Sequence, residues 1–276
     1  MNIEISTNHE IHLPAEQAVL RCYRLGFNHI QLGTPHFKAN FQLLNKLREK
    51  LNLKYSMHAP FLAPKPFIAS AGAVDKNLLK KSREIFLKTI ENAAKVKAHK
   101  VVVHTAEPGL HSCLENTIAT MRLLCRKAKR HGIIICVENK IKWTSEIGFL
   151  EEDMKRIARE VKEKNLKFCF DTGHAIATYG SPKKALKFFD DVARHIGDVH
   201  LVPGTGEWDV HTAPISDPHF YRQIVSRPFS LNYGGDLTFE CAPEIPESEI
   251  IRGAEYVRGT IAEIFQQRFV DKRELK

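Results

Sequence analysis

Eight short runs rich in Ile, Val, Leu or Phe recur from one end of the chain to the other. Between them lie longer stretches whose apolar residues return at spacings of three and four. The runs are Ile3–Ser6, His29–Leu32, Leu53–His58, Lys100–His104, Ile133–Glu138, Lys167–Asp171, Asp198–Leu201 and Leu237–Glu240, and their length and composition predict β-strands. The segments Ala15–Leu25, Phe41–Lys50, Lys76–Lys97, Cys113–His131, Glu151–Lys164, Pro182–His195 and Ser248–Gln267 predict helices, with Leu79, Ile85, Phe86, Ile90 and Ala93 marking one apolar face. A weaker helical pattern near His219–Val225 fills the interval after His211. Gly26 and Gly132 stand just past two helices, where glycine takes the left-handed conformation at little steric cost.

Strands that alternate with helices pair in parallel, because neighbouring parallel strands need a long crossover. Eight such units fill 276 residues with no Pro/Gly/Ser-rich linker to divide them. They predict one domain over 1–276, an α/β protein built as a single (β/α)8 TIM barrel, a fold of typically about 250 residues. A doubly wound open sheet uses the same elements, and the missing Gly-x-Gly-x-x-Gly after the first strand counts against it.

Other features narrow the class. No apolar run reaches the ~18 residues of a transmembrane span, and Met1–His9 lacks a basic region leading into an apolar one, so a soluble, cytoplasmic protein with no membrane partner is expected. Cys22, Cys113, Cys125, Cys136, Cys169 and Cys241 form no Cys-x-x-Cys pair and read as reduced core thiols. The net charge of +9 favours an anionic partner, although Lys46, Arg48, Lys50, Lys80, Lys81, Arg83, Arg126, Lys127, Lys129 and Arg130 fall on helices, where a solvated face accounts for them. There is no Gly-x-Ser-x-Gly, no P-loop and no recognisable Cys/His nucleophile setting.

Six of the predicted strands carry a carboxylate or an imidazole at or next to their C-terminal residue: His58, His104, Glu138, Asp171, His200 and Glu240. In a barrel these ends share one mouth, so distance along the chain is no obstacle to convergence. His174 follows Asp171 by three residues, and Asp209 and His211 form Asp-x-His in the loop after His200. Taken alone, each histidine has an ordinary reading as a hydrogen-bonded core residue, and Asp209 and His211 as loop residues. An unpaired carboxylate closing an apolar strand is harder to accommodate without a cation or donors. Together the nine suit a divalent transition metal such as zinc, manganese or iron.

The segments Ser56-Met57-His58-Ala59-Pro60-Phe61, Val102-Val103-His104, Val137-Glu138-Asn139, Phe170-Asp171-Thr172-Gly173-His174-Ala175, Val199-His200-Leu201, Asp209-Val210-His211 and Phe239-Glu240 resemble the xylose isomerase-like TIM barrel superfamily, also called AP endonuclease family 2. The resemblance runs nearly end to end. In ligand pattern it is nearest to endonuclease IV, and it implies a multinuclear zinc site, two or three Zn2+, with Mn2+ or Fe2+ as other candidates. His58, His104 and Glu138 would hold one ion, Glu138 would bridge to a second held by Asp171, His200 and Glu240, and His174, Asp209 and His211 would hold the third. The implied activity is a hydrolase that cuts phosphodiesters at abasic sites in DNA, with Glu138 orienting the nucleophile.

The sugar isomerases and epimerases of the same superfamily provide the alternative. There one ion is held by residues matching Glu138, Asp171, His200 and Glu240, the two glutamates exchange a proton beside a carbonyl, and His174 would touch a sugar or sugar-phosphate substrate. The chain departs from endonuclease IV at Gly33-Thr34-Pro35-His36-Phe37-Lys38 and at Val202-Pro203-Gly204-Thr205-Gly206-Glu207-Trp208. It also lacks the arginine that ketose epimerases place after the seventh-strand histidine, where Gly204, Thr205 and Gly206 stand. Candidate substrate contacts are His36, Lys38, Lys140 and Trp208, with Phe37 and Trp208 offering rings for stacking. A non-catalytic binding protein would be expected to have lost the two glutamates, and both are present.

Overall fold

The computed structural model describes residues 1–36, 38–60, 68–230 and 233–274, with the side chains of 228–230 and 268–274 left aside. Eight parallel strands, β1 (Asn2–Ser6), β2 (His29–Leu32), β3 (Lys54–His58), β4 (Lys100–His104), β5 (Ile134–Glu138), β6 (Leu166–Asp171), β7 (Ile196–His200) and β8 (Asp236–Phe239), pair in chain order, and β8 returns to β1 to close the barrel. Nine α-helices among the described residues connect them: α1 (Ala15–Arg24), α2 (Phe41–Leu51), α3 (Lys76–Lys95), α4 (Leu114–Lys129), α5 (Glu151–Val161), α6 (Thr172–Tyr179), α7 (Pro182–Val192), α8 (Pro218–Ser230) and α9 (Glu247–Glu274). No helix is long and apolar enough to cross a membrane among the described residues.

The helix α3 illustrates how the outer layer is made. Asp75 caps it by accepting the Leu78 N–H at 2.7 Å, which satisfies one of the amides the first turn leaves open. Leu79, Phe86, Ile90 and Ala93 recur on one face and are buried against the sheet. Burying an aromatic or branched side chain stabilises by roughly 1.5–3 kcal/mol, so this stripe outweighs the weak intrinsic preference of any single turn. Gly26 and Gly132 do adopt positive φ, 87° and 68°, as their places after α1 and α4 require.

The short α6 escapes a periodicity argument. It begins directly at the end of β6, where Asp171 is both the last strand residue and the cap that accepts the His174 amide at 2.7 Å. A strand and a helix sharing one residue leave no turn signal between them.

Strand alternation sets the interior. Lys100, Val102 and His104 share the inner face of β4, and Val102, Cys136 and Cys169 form a small apolar layer inside the barrel, apart from the main core between strands and helices. Below that layer, Lys100 is buried with its ammonium 2.9 Å from Glu4, 2.8 Å from Asp198 and 2.8 Å from Asp236. Three acids around one lysine form a charged plug rather than the aliphatic filling typical of such barrels. All six cysteines are free thiols and five are buried, in line with their reading from sequence.

Candidate metal centre and active site

The opposite, C-terminal end of the barrel gathers all nine residues that the sequence singled out. Glu138, at the end of β5, is the hub. Its Oε2 lies 3.1 Å from His58 Nε2 and 3.2 Å from His104 Nε2, while its Oε1 lies 3.2 Å from His174 Nδ1. His200 Nδ1 faces three carboxylates, with Glu240 Oε2 at 3.4 Å and Glu138 Oε2 and Asp171 Oδ2 each at 3.8 Å. Asp209 Oδ2 sits between His211 Nε2 at 2.9 Å and His174 Nε2 at 3.5 Å. Glu240 lies one residue past β8 and is buried, as are the other strand-end ligands.

The five imidazoles share one arrangement. One ring nitrogen meets a partner behind the ring, and a nitrogen of each ring is turned toward a carboxylate. His58 Nδ1 is bonded to Ala59 O at 2.9 Å, His174 Nδ1 to Asn139 O at 2.8 Å and His211 Nδ1 to Glu240 O at 2.9 Å. A carbonyl accepts only, so these three Nδ1 atoms carry hydrogen, and Nε2 is the nitrogen each ring could offer to a metal in place of a proton. His104 Nδ1 is hydrogen-bonded to Glu107, and His200 Nε2 lies 3.2 Å from the Gln31 amide and 3.6 Å from Asp198. Such anchoring fixes tautomer and ring orientation, as in histidines that ligate metals.

A direct test of fit comes from orphaned atoms. Asp171 Oδ2 and His200 Nδ1 are buried, 3.8 Å apart, and neither has a hydrogen-bond partner among the described residues. Leaving such groups unsatisfied costs roughly 1–3 kcal/mol each, whereas one ion bound to both at ~2.0–2.2 Å relieves both. Four sets of donors come within metal-sharing distance here among the described residues: His58, His104 and Glu138; Glu138, Asp171 and His174; Asp171, His200 and Glu240; and Glu138, Cys169 and His200. The residues therefore fit a divalent metal.

Their electrostatics agree. Burial pushes the Asp171 carboxyl up to about 6, against the attraction of His174 and with the repulsion of Glu138. Burial acts on Glu240 in the same direction, but the facing His200 outweighs it and brings that carboxyl down to about 2. For Glu138 burial is again the largest influence, and the charge of His104 with the bonds from His104, His174 and His58 overcomes it and holds the carboxyl well below the usual range. Burial would lower His211, but Asp209 and Glu240 raise it to about 9. Glu138 and Glu240 are thus kept ionised by positive neighbours, a role that a cation can take over.

A cavity of about 480 Å3 opens above this cluster, lined by Asn8, His58, His104, Glu107, Glu138, Lys140, His174, Asp209, His211 and Glu240 together with apolar Ile68, Pro108, Ile141 and Pro243. Lys140 is buried, with its Nζ 3.0 Å from His104 Nδ1. The other candidate substrate contacts lie elsewhere. His36 is buried with both nitrogens engaged, by Thr7 Oγ1 at 2.7 Å and Leu13 O at 3.0 Å, and it does not line the cavity. Lys38 and Trp208 are exposed and also absent from the lining. Phe37 and Phe61 fall outside the described residues. Glu107, Asn8 and Gln31 went unnoticed in the sequence; Glu107 stands three residues after His104, a spacing that was a usable signal.

A closed parallel barrel with a buried imidazole–carboxylate cluster at the C-terminal ends of its strands defines a TIM-barrel protein with the donor set of a divalent-metal site. The chain belongs to the xylose isomerase-like TIM barrel family, whose model matches residues 19–258. It is 24% identical over 246 residues to the uncharacterized protein MJ1311 of Methanocaldococcus jannaschii, a match covering 86% of this chain and 80% of that protein. Among solved structures it is similar to a D-tagatose 3-epimerase-like protein, with TM-score 0.83, 20% identity and coverage of 97% of this chain and 99% of that one. It is similar as well to an L-ribulose 3-epimerase, with TM-score 0.80, 14% identity and coverage of 98% and 97%. A 3-keto-D-glucoside 4-epimerase from E. coli follows with TM-score 0.76, 15% identity and coverage of 94% and 99%. At these identities the likeness concerns the fold.

Proposed function

We propose that this protein is a divalent-metal-dependent isomerase or epimerase of a small polyhydroxylated carbonyl compound, with Glu138 and Glu240 as the proton-transfer pair. The observation that carries this reading is the placement of the two carboxylates: both line one small cavity and flank His200, at 3.8 and 3.4 Å. A cavity of about 480 Å3 is the size of a small-molecule site. Structural neighbours that carry the names of sugar epimerases support the same reading.

Glu138, Asp171, His200 and Glu240 would hold the ion, and His174, Asp209 and His211 form a further set of donors. A bound divalent ion supplies Lewis-acid polarisation of the substrate carbonyl. Both glutamates are ionised at neutral pH, so either can accept a proton from the carbon beside that carbonyl. The other then returns a proton, to the opposite face in an epimerisation or to the neighbouring carbon in an isomerisation. Lys140, the one Lys or Arg among the described residues lining the cavity, stands where it can hold a proton beside the oxygen on which charge develops.

The experiment is hydrogen exchange. Incubation of metal-loaded protein with a panel of ketoses and aldoses in D2O is expected to place deuterium beside the carbonyl, read by proton NMR, with Glu240→Gln as control. Absence of exchange across the panel would overturn the reading.

A second reading, zinc-dependent cleavage of DNA at abasic sites, is favoured by one observation. His58 and His104 complete the nine-residue set that endonuclease IV uses, and both converge on Glu138. It ranks second because the cavity suits a small molecule better than a duplex. Metal-dependent incision of a duplex with one abasic site, absent in Glu240→Gln, would reverse that order.

A further inference from the structure

The N-terminal end of the barrel holds a second and larger cavity, about 800 Å3. The one carboxylate lining it among the described residues, Asp236, is fully engaged. Oδ1 takes His29 Nδ1 at 2.9 Å and Asn2 Nδ2 at 3.2 Å, and Oδ2 takes His99 Nε2 and Lys100 Nζ, each at 2.8 Å. The positive groups around it are not balanced in this way. Lys54, Lys97, Lys167 and Arg194 line the cavity without an ion pair among the described residues. Elsewhere several basic side chains meet an acid, such as Arg21 with Glu10, Arg156 with Glu115 and Arg227 with Asp190.

Two features make this more than a scatter of surface lysines. First, His99 Nδ1 lies 2.8 Å from the Tyr55 carbonyl and its Nε2 lies 2.8 Å from Asp236 Oδ2. Both partners only accept, so both nitrogens carry hydrogen and the ring is an imidazolium. Its side chain is 41% exposed, which offers that cation to the cavity. Second, the Lys167 stem runs across Gly197, in the space a side chain there would fill. A Cβ there would lie 2.6 Å from Lys167 Cβ, so only glycine lets the lysine stem pass.

We propose that the N-terminal cavity is a binding site for a small dianion of the phosphate class, held by Lys54 and Lys167, with the charge of His99 beside it, on the face opposite the metal centre. A phosphate group offers acceptor oxygens to ammonium donors, and these charge-assisted bonds are the strong kind. The unbalanced charge of the chain, +9 overall, thereby acquires a local use.

The test is calorimetric titration of inorganic phosphate into the metal-loaded protein at pH 7, with ionic strength held constant by chloride. A saturable site is expected. Lys54→Met with Lys167→Met, which keeps both stems and removes both charges, should weaken binding at least tenfold. Asp209→Ala with His211→Ala should leave it unchanged. Lack of saturable binding overturns the proposal, as does binding that survives the lysine pair and disappears with Asp209 and His211, which would put the anion at the metal centre. Matching melting curves for wild type and the lysine pair separate loss of the site from loss of the fold.

Discussion

Lys100 Nζ lies 2.8 Å from Asp198 Oδ1 in the middle of the barrel, and Asp198 presents its other oxygen to His200 Nε2 at 3.6 Å. The charged plug and the metal-type cluster are therefore neighbours on the inner face of β7. Lys100→Met would leave Glu4, Asp198 and Asp236 buried around an uncharged side chain. Removing one partner of a buried ionic group costs roughly 3–5 kcal/mol. Urea unfolding should show a loss of that order, and a loss below about 1 kcal/mol would mean that the plug is not held by its lysine.

His99 gives the fold a pH dependence of known sign. Burial lowers its affinity for a proton, but the bond to Asp236 and the charge of Glu4 outweigh this and raise its pKa above the ordinary value. A raised folded-state value means that the contribution is fully present below the unfolded pKa of ~6.5 and is lost as pH rises through the folded value. Melting temperature should therefore decline in that interval, and His99→Gln should remove this component. A variant with the same pH profile as wild type would assign the slope to another group.

Glu138→Gln and Glu240→Gln each remove a proton acceptor while keeping a similar shape. General acid–base catalysis contributes typically ~10²–10⁴-fold, and each variant is expected to lose activity within that range. Both also belong to the proposed ligand set, and Glu138 receives bonds from three histidines, so each variant should lose metal, Glu138→Gln the more. Parallel measurement of kcat and metal content separates the two roles; activity lost only in proportion to metal would argue that the glutamate serves only as a ligand.

Metal removal should destabilise the fold. An ion bound only to the native state stabilises by about 4 kcal/mol at a thousandfold excess over its Kd, and stripping returns Asp171 Oδ2 and His200 Nδ1 to their unpartnered condition. Chelation is expected to lower the melting temperature, with recovery on adding zinc or manganese. Asp209→Ala with His211→Ala should lower the bound-metal count by about one, read by elemental analysis. An unaltered count would remove these two residues from the ligand set.

The barrel was legible because each β–α unit leaves two periodicities in the sequence, two in the strand and near 3.6 in the helix. The nine-residue cluster was legible because a barrel converts strand ends into neighbours. What stayed hidden depended on contacts across the barrel. Glu4, Lys100, Asp198 and Asp236 lie near the beginnings of different strands and read locally as polar flanks. Asp198 did offer a sign, since it stands two residues before His200 and so shares its face. His36 looked available from its loop, yet its two hydrogen bonds to Thr7 and Leu13 depend on chain folding that sequence spacing does not reveal.

The aim of His58, His174 and His211 is set by the carbonyls of Ala59, Asn139 and Glu240, atoms that every residue type supplies. Main chain therefore holds the donor geometry, while side chains on the surrounding loops are left to differ. A barrel wired in this way can exchange its loops and meet new substrates without having to rebuild the chemistry beneath them.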